Sequence, residues 1–370
     1  MSTNRLKARL EDRIRLTGPI SVADYMTACL ADPEDGYYTT SPEPFGRDGD
    51  FITAPEVSQM FGELIGGWVV ATWIAMGAPS PVHLVELGPG RGTLMADILR
   101  TARLRPAFME AVAVHLVEVS PKLRHRQGET LGSIVGALKS APQWHDHLSA
   151  VPEGPAILIA NEFFDALPIR QFVKTGKGWC ERVVGLDAAG QLAFGVSGVA
   201  LAEGLVPTAA RAAAVGAILE ASPASAAIAA EIGTRIAAQR GAALLIDYGY
   251  LRSAPGDTLQ ALSRHAFADP LAEPGKADLT AHVDFEALAL AATHAGAEAL
   301  APLTQGEFLL RLGLLERAGQ LGAGKDAAAQ ERLRGEVERL AAPDQMGELF
   351  KVLALATPGL VPPGFERRGR

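Results

Sequence analysis

The residues best suited to chemistry gather first in ELGPGRGT, residues 86–93: Glu86, Gly88, Pro89, Gly90, Gly92 and Thr93. Glycines let the backbone approach a ligand closely, and a helix starting beyond them offers unpaired N–H groups with partial positive charge. Such a turn suits a small anionic group. Two phosphate motifs are missing: a P-loop needs GxxxxGK[ST], and the dinucleotide fingerprint GxGxxG needs a glycine where Thr93 stands. Glu86, two residues before Gly88, repels a pyrophosphate and attracts an ammonium. The methionine end of S-adenosylmethionine carries a carboxylate for the loop and an ammonium for Glu86. A second acid, Glu118, lies in the strand-like AVHLVEV, residues 113–119. In open α/β sheets the ligand lies beyond the carboxyl ends of the strands, where an acid accepts both ribose hydroxyls. Alone, Glu118 reads as a solvated strand-end acid; beside the glycine turn it reads as the ribose acid.

A further set follows the apolar run AILIA, residues 156–160: Asn161, Glu162 and Asp165. This is where a transferred group would meet its acceptor. A helix N-terminus with acids placed for the dipole explains Glu162 and Asp165, but not why Asn161 heads the set. Upstream, residues 35–55 are rich in Gly, Pro, Ser and Asp yet hold Tyr37, Tyr38, Phe45 and Phe51, which predicts an ordered, irregular lid including Asp50. A buried helix over residues 55–76, with Pro55 in its first turn, brings Thr53 and Glu56 to the site. His145 and His147 lie two apart, so no metal site is predicted and both are assigned to the surface. Trp144 packs either on an adenine ring or on the sheet edge.

The elements that must position these residues can be read from periodicity. Helices are predicted over residues 3–16 and 22–30, the second capped by Ser21, and then strand 82–87, helix 93–100 and strand 113–119. Helix 121–131, a weak third strand at 133–138 and a fourth strand at 156–160 follow. Hairpins are predicted at 170–197, a helix at 224–240, a strand at 243–247, a loop to Ala281, and a helix at 284–295. A short strand at Leu300, helices within 307–340 and a strand at 350–356 complete the order. The expected organisation is an N-terminal helical cap and lid at 1–80, a core first half at 81–168, inserted β-hairpins and linker at 169–223, and a core second half with helical insertion at 224–370.

Apolar residues make up 48% of the 370 residues and charged ones 21%, the profile of a globular protein with a large core. A net charge of -8 argues against a nucleic-acid partner. Cys29 and Cys180 stand far apart and suit buried thiols in a reducing compartment. No run reaches the length of a membrane span and the start lacks the apolar segment of a secretory signal, so the expected location is cytoplasmic. The basic N-terminal residues keep a mitochondrial matrix location as the alternative. Oligomeric state is open, a homodimer included.

The chain resembles the MidA family, bacterial and mitochondrial relatives of a methyltransferase that assists respiratory complex I assembly. The resemblance spans nearly the whole chain and rests on residues 36–63, 85–94, 115–121, 161–168 (NEFFDALP), 247–250 (DYGY) and 277–285 (ADLTAHVDF). It implies a Rossmann-like α/β class I methyltransferase fold, with a seven-stranded mostly parallel sheet and S-adenosylmethionine over Gly88 to Gly92. It also implies a protein partner, a complex I subunit, with an arginine as the methyl acceptor. Carboxylates accept paired N–H bonds from a guanidinium, which makes Glu162 and Asp165 the acceptor candidates; on a helix their spacing would put both on one side. The alternatives are a non-catalytic assembly chaperone that binds the cofactor and a small-molecule methyltransferase.

Overall fold

Seven strands, numbered in chain order, make the main path of a nine-stranded central sheet: β1 Val82–Leu87, β2 Val112–Val117, β3 Gln143–His145, β4 Ala156–Asn161, β5 Gly241–Tyr250, β6 Glu298–Ala299 and β7 Phe350–Ala356. They lie in the order β6-β7-β5-β4-β1-β2-β3. β1 to β5 run parallel, and β7 is antiparallel to β5. Every residue of β1 and β4 is buried, so both are largely apolar, and the polar exceptions His83, Glu86 and Asn161 are buried with them. The chain winds from β1 outwards to β3 and returns at β4, so the order reverses between β1 and β4. Glu86 lies opposite Ile159 and Leu87 opposite Ala160, which brings the segments after β1 and β4 out at one edge.

The computed structural model describes residues 4–40, 53–263 and 266–367. Two units emerge, one of Met1–Phe51, Asp165–Ala227 and Arg252–Glu286, the other of Ile52–Phe164, Ile228–Leu251 and Ala287–Arg370. The second holds the sheet. Its first helical stretch, predicted as one helix over 55–76, is two, Ala54–Val57 and Gln59–Ala75. Ser58 breaks it by adopting φ -156 and ψ 137, and its hydroxyl then caps the second helix by accepting the Met60 N–H. That helix meets helix Thr93–Ala102 backbone to backbone. A Cβ on Gly62 would stand 2.4 Å from Asp97 Cβ, and one on Gly66 3.0 Å from Ile98 Cα. Helices Gln305–Arg311, Leu314–Gly322 and Ala327–Ala341 lie between β6 and β7 in the chain, and Arg317 grips Glu63 through Nε at 2.8 Å and Nη2 at 3.0 Å.

The predicted third strand at 133–138 is instead the end of helix Pro121–Val135 and the turn after it, and the strand itself lies at Gln143–His145. This shift changes the histidines. His147 is exposed, as predicted, but His145 belongs to a ladder across three strands, with His83 Nδ1 2.9 Å from His115 Nε2 and His115 Nδ1 3.0 Å from His145 Nε2. His83 Nε2 faces the Glu153 carbonyl at 3.2 Å and must donate to it, so each His donates from Nε2 to the next acceptor. Burial pushes the His115 imidazole down to about 3.

In the other unit, helix Arg5–Thr17 buries Leu6, Leu10 and Ile14, and helix Val22–Ala31 starts at Ser21, whose hydroxyl accepts the Asp24 N–H. The predicted hairpins are there: strands Arg170–Thr175, Gly178–Leu186 and Leu192–Ala200 join Ile20–Ser21 and Ile218–Ala221 in one sheet. The predicted loop before Ala281 instead contains three short antiparallel strands, Gln260–Ser263, Ala266–Ala268 and Asp278–Thr280. Cys29 and Cys180 are free and buried. No helix among the described residues is long and apolar enough to cross a membrane.

Candidate active site

The turn after β1 uses its glycines for their backbone freedom: Gly88, Gly90 and Gly92 have φ of 59, 51 and 81 degrees. A side chain at Gly88 would also collide, since its Cβ would lie 2.7 Å from Phe163 Cδ2. Gly92 starts helix Thr93–Ala102 as its N-cap and, lacking a side chain, makes no capping hydrogen bond of its own. Thr93 turns its hydroxyl to Glu56 Oε1 at 2.8 Å, which places Glu56 beside the turn. Pro55 is buried in the first turn of Ala54–Val57, and Thr53 is the N-cap of that helix without a side-chain hydrogen bond. Asp50 and Phe51, with Phe45, lie outside the described residues.

Glu86 is 3% exposed at the end of β1. One carboxylate oxygen accepts the Met95 N–H, and Oε2 is buried with no hydrogen-bond partner. Burial pushes its carboxyl up to about 8. A buried acceptor of this kind lacks compensation and suits a cationic donor. Beside it stands a backbone turn open to close approach. Together they fit an α-amino acid head group such as that of S-adenosylmethionine, with the loop N–H groups for its carboxylate.

Glu118 follows β2, with Oε1 accepting the Ser120 N–H at 2.8 Å and Oε2 accepting Gln127 Nε2 at 3.3 Å. Burial raises its carboxyl above the usual range against these hydrogen bonds. Trp144 gives its indole N–H to Gln127 Oε1 at 2.8 Å, so its polar edge is held within the protein. Gln127 was missed in the sequence. Its signal was there: it stands midway between Leu123 and Leu131 at four-residue steps, on the buried face of an otherwise charged helix.

The segment after β4 is not the start of a helix. Glu162 has φ of 50 degrees, a left-handed conformation that a helix cannot continue. The next N–H groups, of Phe163 and Phe164, donate to Asp247 Oδ2 at 3.1 and 2.9 Å. The same-side helical spacing expected of Glu162 and Asp165 therefore fails. Glu162 Oε1 accepts the Ala54 N–H at 2.9 Å and Asn161 Nδ2 at 3.1 Å, while Asn161 Oδ1 is buried without a hydrogen-bond partner. Asp247, fully buried near the end of β5, is a second residue the sequence reading missed, though DYGY is among the segments of resemblance.

Asp165 belongs to the other unit, where its carbonyl accepts the Ala281 N–H at 3.0 Å. Tyr38 in the same unit donates its hydroxyl to Asp278 Oδ1 at 3.1 Å. Burial, followed by the charges of Asp278 and Asp165, raises the Tyr38 phenol well above its usual range. Tyr37 is buried and meets Tyr38 edge to face at 5.3 Å. Among the described residues no group of acids, histidines and cysteines has the arrangement of a metal site.

A family model for S-adenosyl-L-methionine-dependent methyltransferases matches residues 64–303. The mouse (Mus musculus) protein arginine methyltransferase NDUFAF7, mitochondrial, is 40% identical over 371 residues, covering 93% of this chain and 82% of its own length. The Drosophila melanogaster homolog is 37% identical, covering 95% of this chain and 84% of its own. A crystal structure of a protein from Burkholderia thailandensis bound to S-adenosyl-homocysteine superposes with a TM-score of 0.84 at 33% identity, covering 96% of this chain and 92% of that one. With the glycine turn, the buried acid beside it and the sheet order in place, these likenesses show that the chain belongs to this family of S-adenosyl-L-methionine-dependent methyltransferases.

Proposed function

We propose that the chain methylates an arginine side chain of a protein, a respiratory complex I subunit during its assembly. The relatives named as protein arginine methyltransferases support this acceptor. The observation that carries the catalytic part is Glu162, a non-glycine residue held at φ 50 at the end of β4, with its carboxylate fixed by the Ala54 N–H and the Asn161 amide. Such a conformation persists only where the surroundings impose it, and it is found at working sites.

The cofactor supplies an electrophilic methyl group. Glu86 would hold the ammonium end, the turn from Gly88 through Pro89 to Gly92, with the N-terminus at Thr93, would hold the carboxylate, and Glu118 would hold the ribose. Asn161 would border the cofactor, and its amide holds the Glu162 carboxylate. Glu162 would accept N–H bonds from the guanidinium, align one nitrogen and take the proton that nitrogen loses on gaining the methyl, whose bond to the sulfonium sulfur breaks to leave S-adenosylhomocysteine. Asp165 is the second acceptor candidate. Tyr37, Tyr38, Asp50, Phe51, Thr53, Pro55 and Glu56 form the proposed acceptor side and lid. The relatives named as mitochondrial support a mitochondrial compartment over the bacterial cytoplasm expected from the sequence.

The test measures methyl transfer to complex I subunits and locates the mark by mass spectrometry. Glu162→Gln keeps the shape and loses the charge, so transfer falls about a hundredfold while S-adenosylhomocysteine affinity stays. Wild-type transfer in this variant removes Glu162 from the mechanism. Methyl marks confined to residues other than arginine remove the acceptor.

A further inference from the structure

Gln127 is fully buried on helix Pro121–Val135, and its amide joins three segments distant in sequence. Nε2 donates to the Gly90 carbonyl in the glycine turn at 2.8 Å and to Glu118 Oε2 at 3.3 Å, and Oε1 accepts the Trp144 indole N–H at 2.8 Å. The orientation of the amide is fixed by chemistry. Two acceptors face one end and a donor the other, so a flipped amide would set oxygen against oxygen and N–H against N–H. The helix also lies close to the turn, since a Cβ on Gly92 would come within 3.3 Å of Gln127 Cα. The N–H groups of Ser120 and Val119 hold the Glu118 carboxylate from its own chain, and Gln127 is the side-chain donor that completes its setting.

We propose that Gln127 is a positioning residue for S-adenosylmethionine, fixing the distance between the glycine turn that takes the amino acid end and the Glu118 carboxylate that takes the ribose. This rests on the reading of Glu118 as the ribose acid. Gln127 touches neither the methyl group nor the acceptor; it acts by holding the turn and the acid in one register. Losing its donor frees the Glu118 carboxylate to rotate and the turn to shift, so cofactor binding weakens while the fold stands.

Calorimetric titration with S-adenosylhomocysteine at pH 8 and pH 6 tests this on the full chain, using Gln127→Glu and Glu118→Gln. Gln127→Glu keeps the size and the acceptor for Trp144 but sets a carboxylate against Glu118. At pH 8 its Kd rises about tenfold or more, the scale of losing a hydrogen bond to a charged group. At pH 6 the gap narrows, because two adjoining carboxyls share a proton that restores a donor between them. A purely structural role gives no such recovery, and the melting temperature of the free variant at pH 6 stays close to wild type. Wild-type affinity at pH 8, or an equal loss at both pH values, overturns the proposal. If Gln127→Glu does not fold, Gln127→Met keeps the volume without the hydrogen bonds; weaker binding at both pH values supports the role and wild-type binding refutes it. Glu118→Gln separates the premises. Unchanged affinity in that variant removes the ribose role itself, whereas weaker binding there beside normal binding in the Gln127 variants removes Gln127 alone.

Discussion

Glu86 couples ligand binding to protons. Its carboxyl, pushed up to about 8 by burial, is largely protonated in the free protein at pH 7. An arriving ammonium favours the ionised form, so binding of S-adenosylhomocysteine releases a proton. The sign follows: affinity rises as pH climbs towards 8, and turns down where the ligand's own ammonium deprotonates. Calorimetry at pH 7 in two buffers of different ionisation heat should give a net release approaching one proton. Glu86→Gln should abolish both the release and the rising limb, and the absence of any release in the wild type would remove Glu86 as the ammonium partner.

At the scale of elements, the loop after β4 depends on a neighbouring strand. Asp247 on β5 accepts the N–H groups of Phe163 and Phe164 through Oδ2 and its own neighbour Tyr248 through Oδ1 at 2.9 Å. Asp247→Asn places an NH2 group where one set of donors already points, at a cost of about 1–3 kcal/mol. Because this loop carries Glu162, kcat should fall more than cofactor affinity, measured by steady-state kinetics beside calorimetry. Unchanged kcat in a folded variant would show that Asp247 does not set the position of Glu162. The helix pair is similarly demanding. A Cβ at Gly62 meets Asp97 Cβ at 2.4 Å, so Gly62→Ala should lower stability by about 1–3 kcal/mol in urea unfolding, and a neutral result would mean the two helices separate readily.

At the scale of the whole molecule, the histidine ladder gives folding an acid limit. Burial pushes His115 down to about 3, and the His83 and His145 imidazoles and the Arg235 guanidinium add to it. His83 and His145 are lowered as well, chiefly by burial, with Arg235 near both and Arg124 and Asp146 near His145. The unfolded chain takes up protons on these rings below about 6.5, whereas the folded His115 does not until about 3. Stability is therefore full above about 6.5 and is lost as pH falls towards 3, at up to about 1.4 kcal/mol per pH unit for each ring that stays neutral. Urea unfolding between pH 7 and pH 5 should show this slope, and His115→Gln should flatten it. An unchanged slope in that variant would assign acid sensitivity to other groups.

The sequence alone determined the features that are local. Strand, glycine turn and helix at 82–102 follow from a short apolar run, residues that tolerate positive φ, and helical spacing, all within reach of neighbouring residues. The identities of Glu86, Glu118 and Glu162 as candidates came the same way, from acids placed just at or after strand ends. What only the tertiary structure decided depends on register between distant strands and helices. Glu162 and Asp165 looked like one helical face, but Asp247, more than eighty positions along the chain, claims the N–H groups a helix would have used. His145 looked like a surface residue until the third strand, displaced to 143–145, set it beside His115. Gln127 joins Gly90, Glu118 and Trp144 because the helix after β2 packs against the glycine turn. A single chain shows which donors and acceptors exist; which of them meet is decided by the packing that removes water from around them.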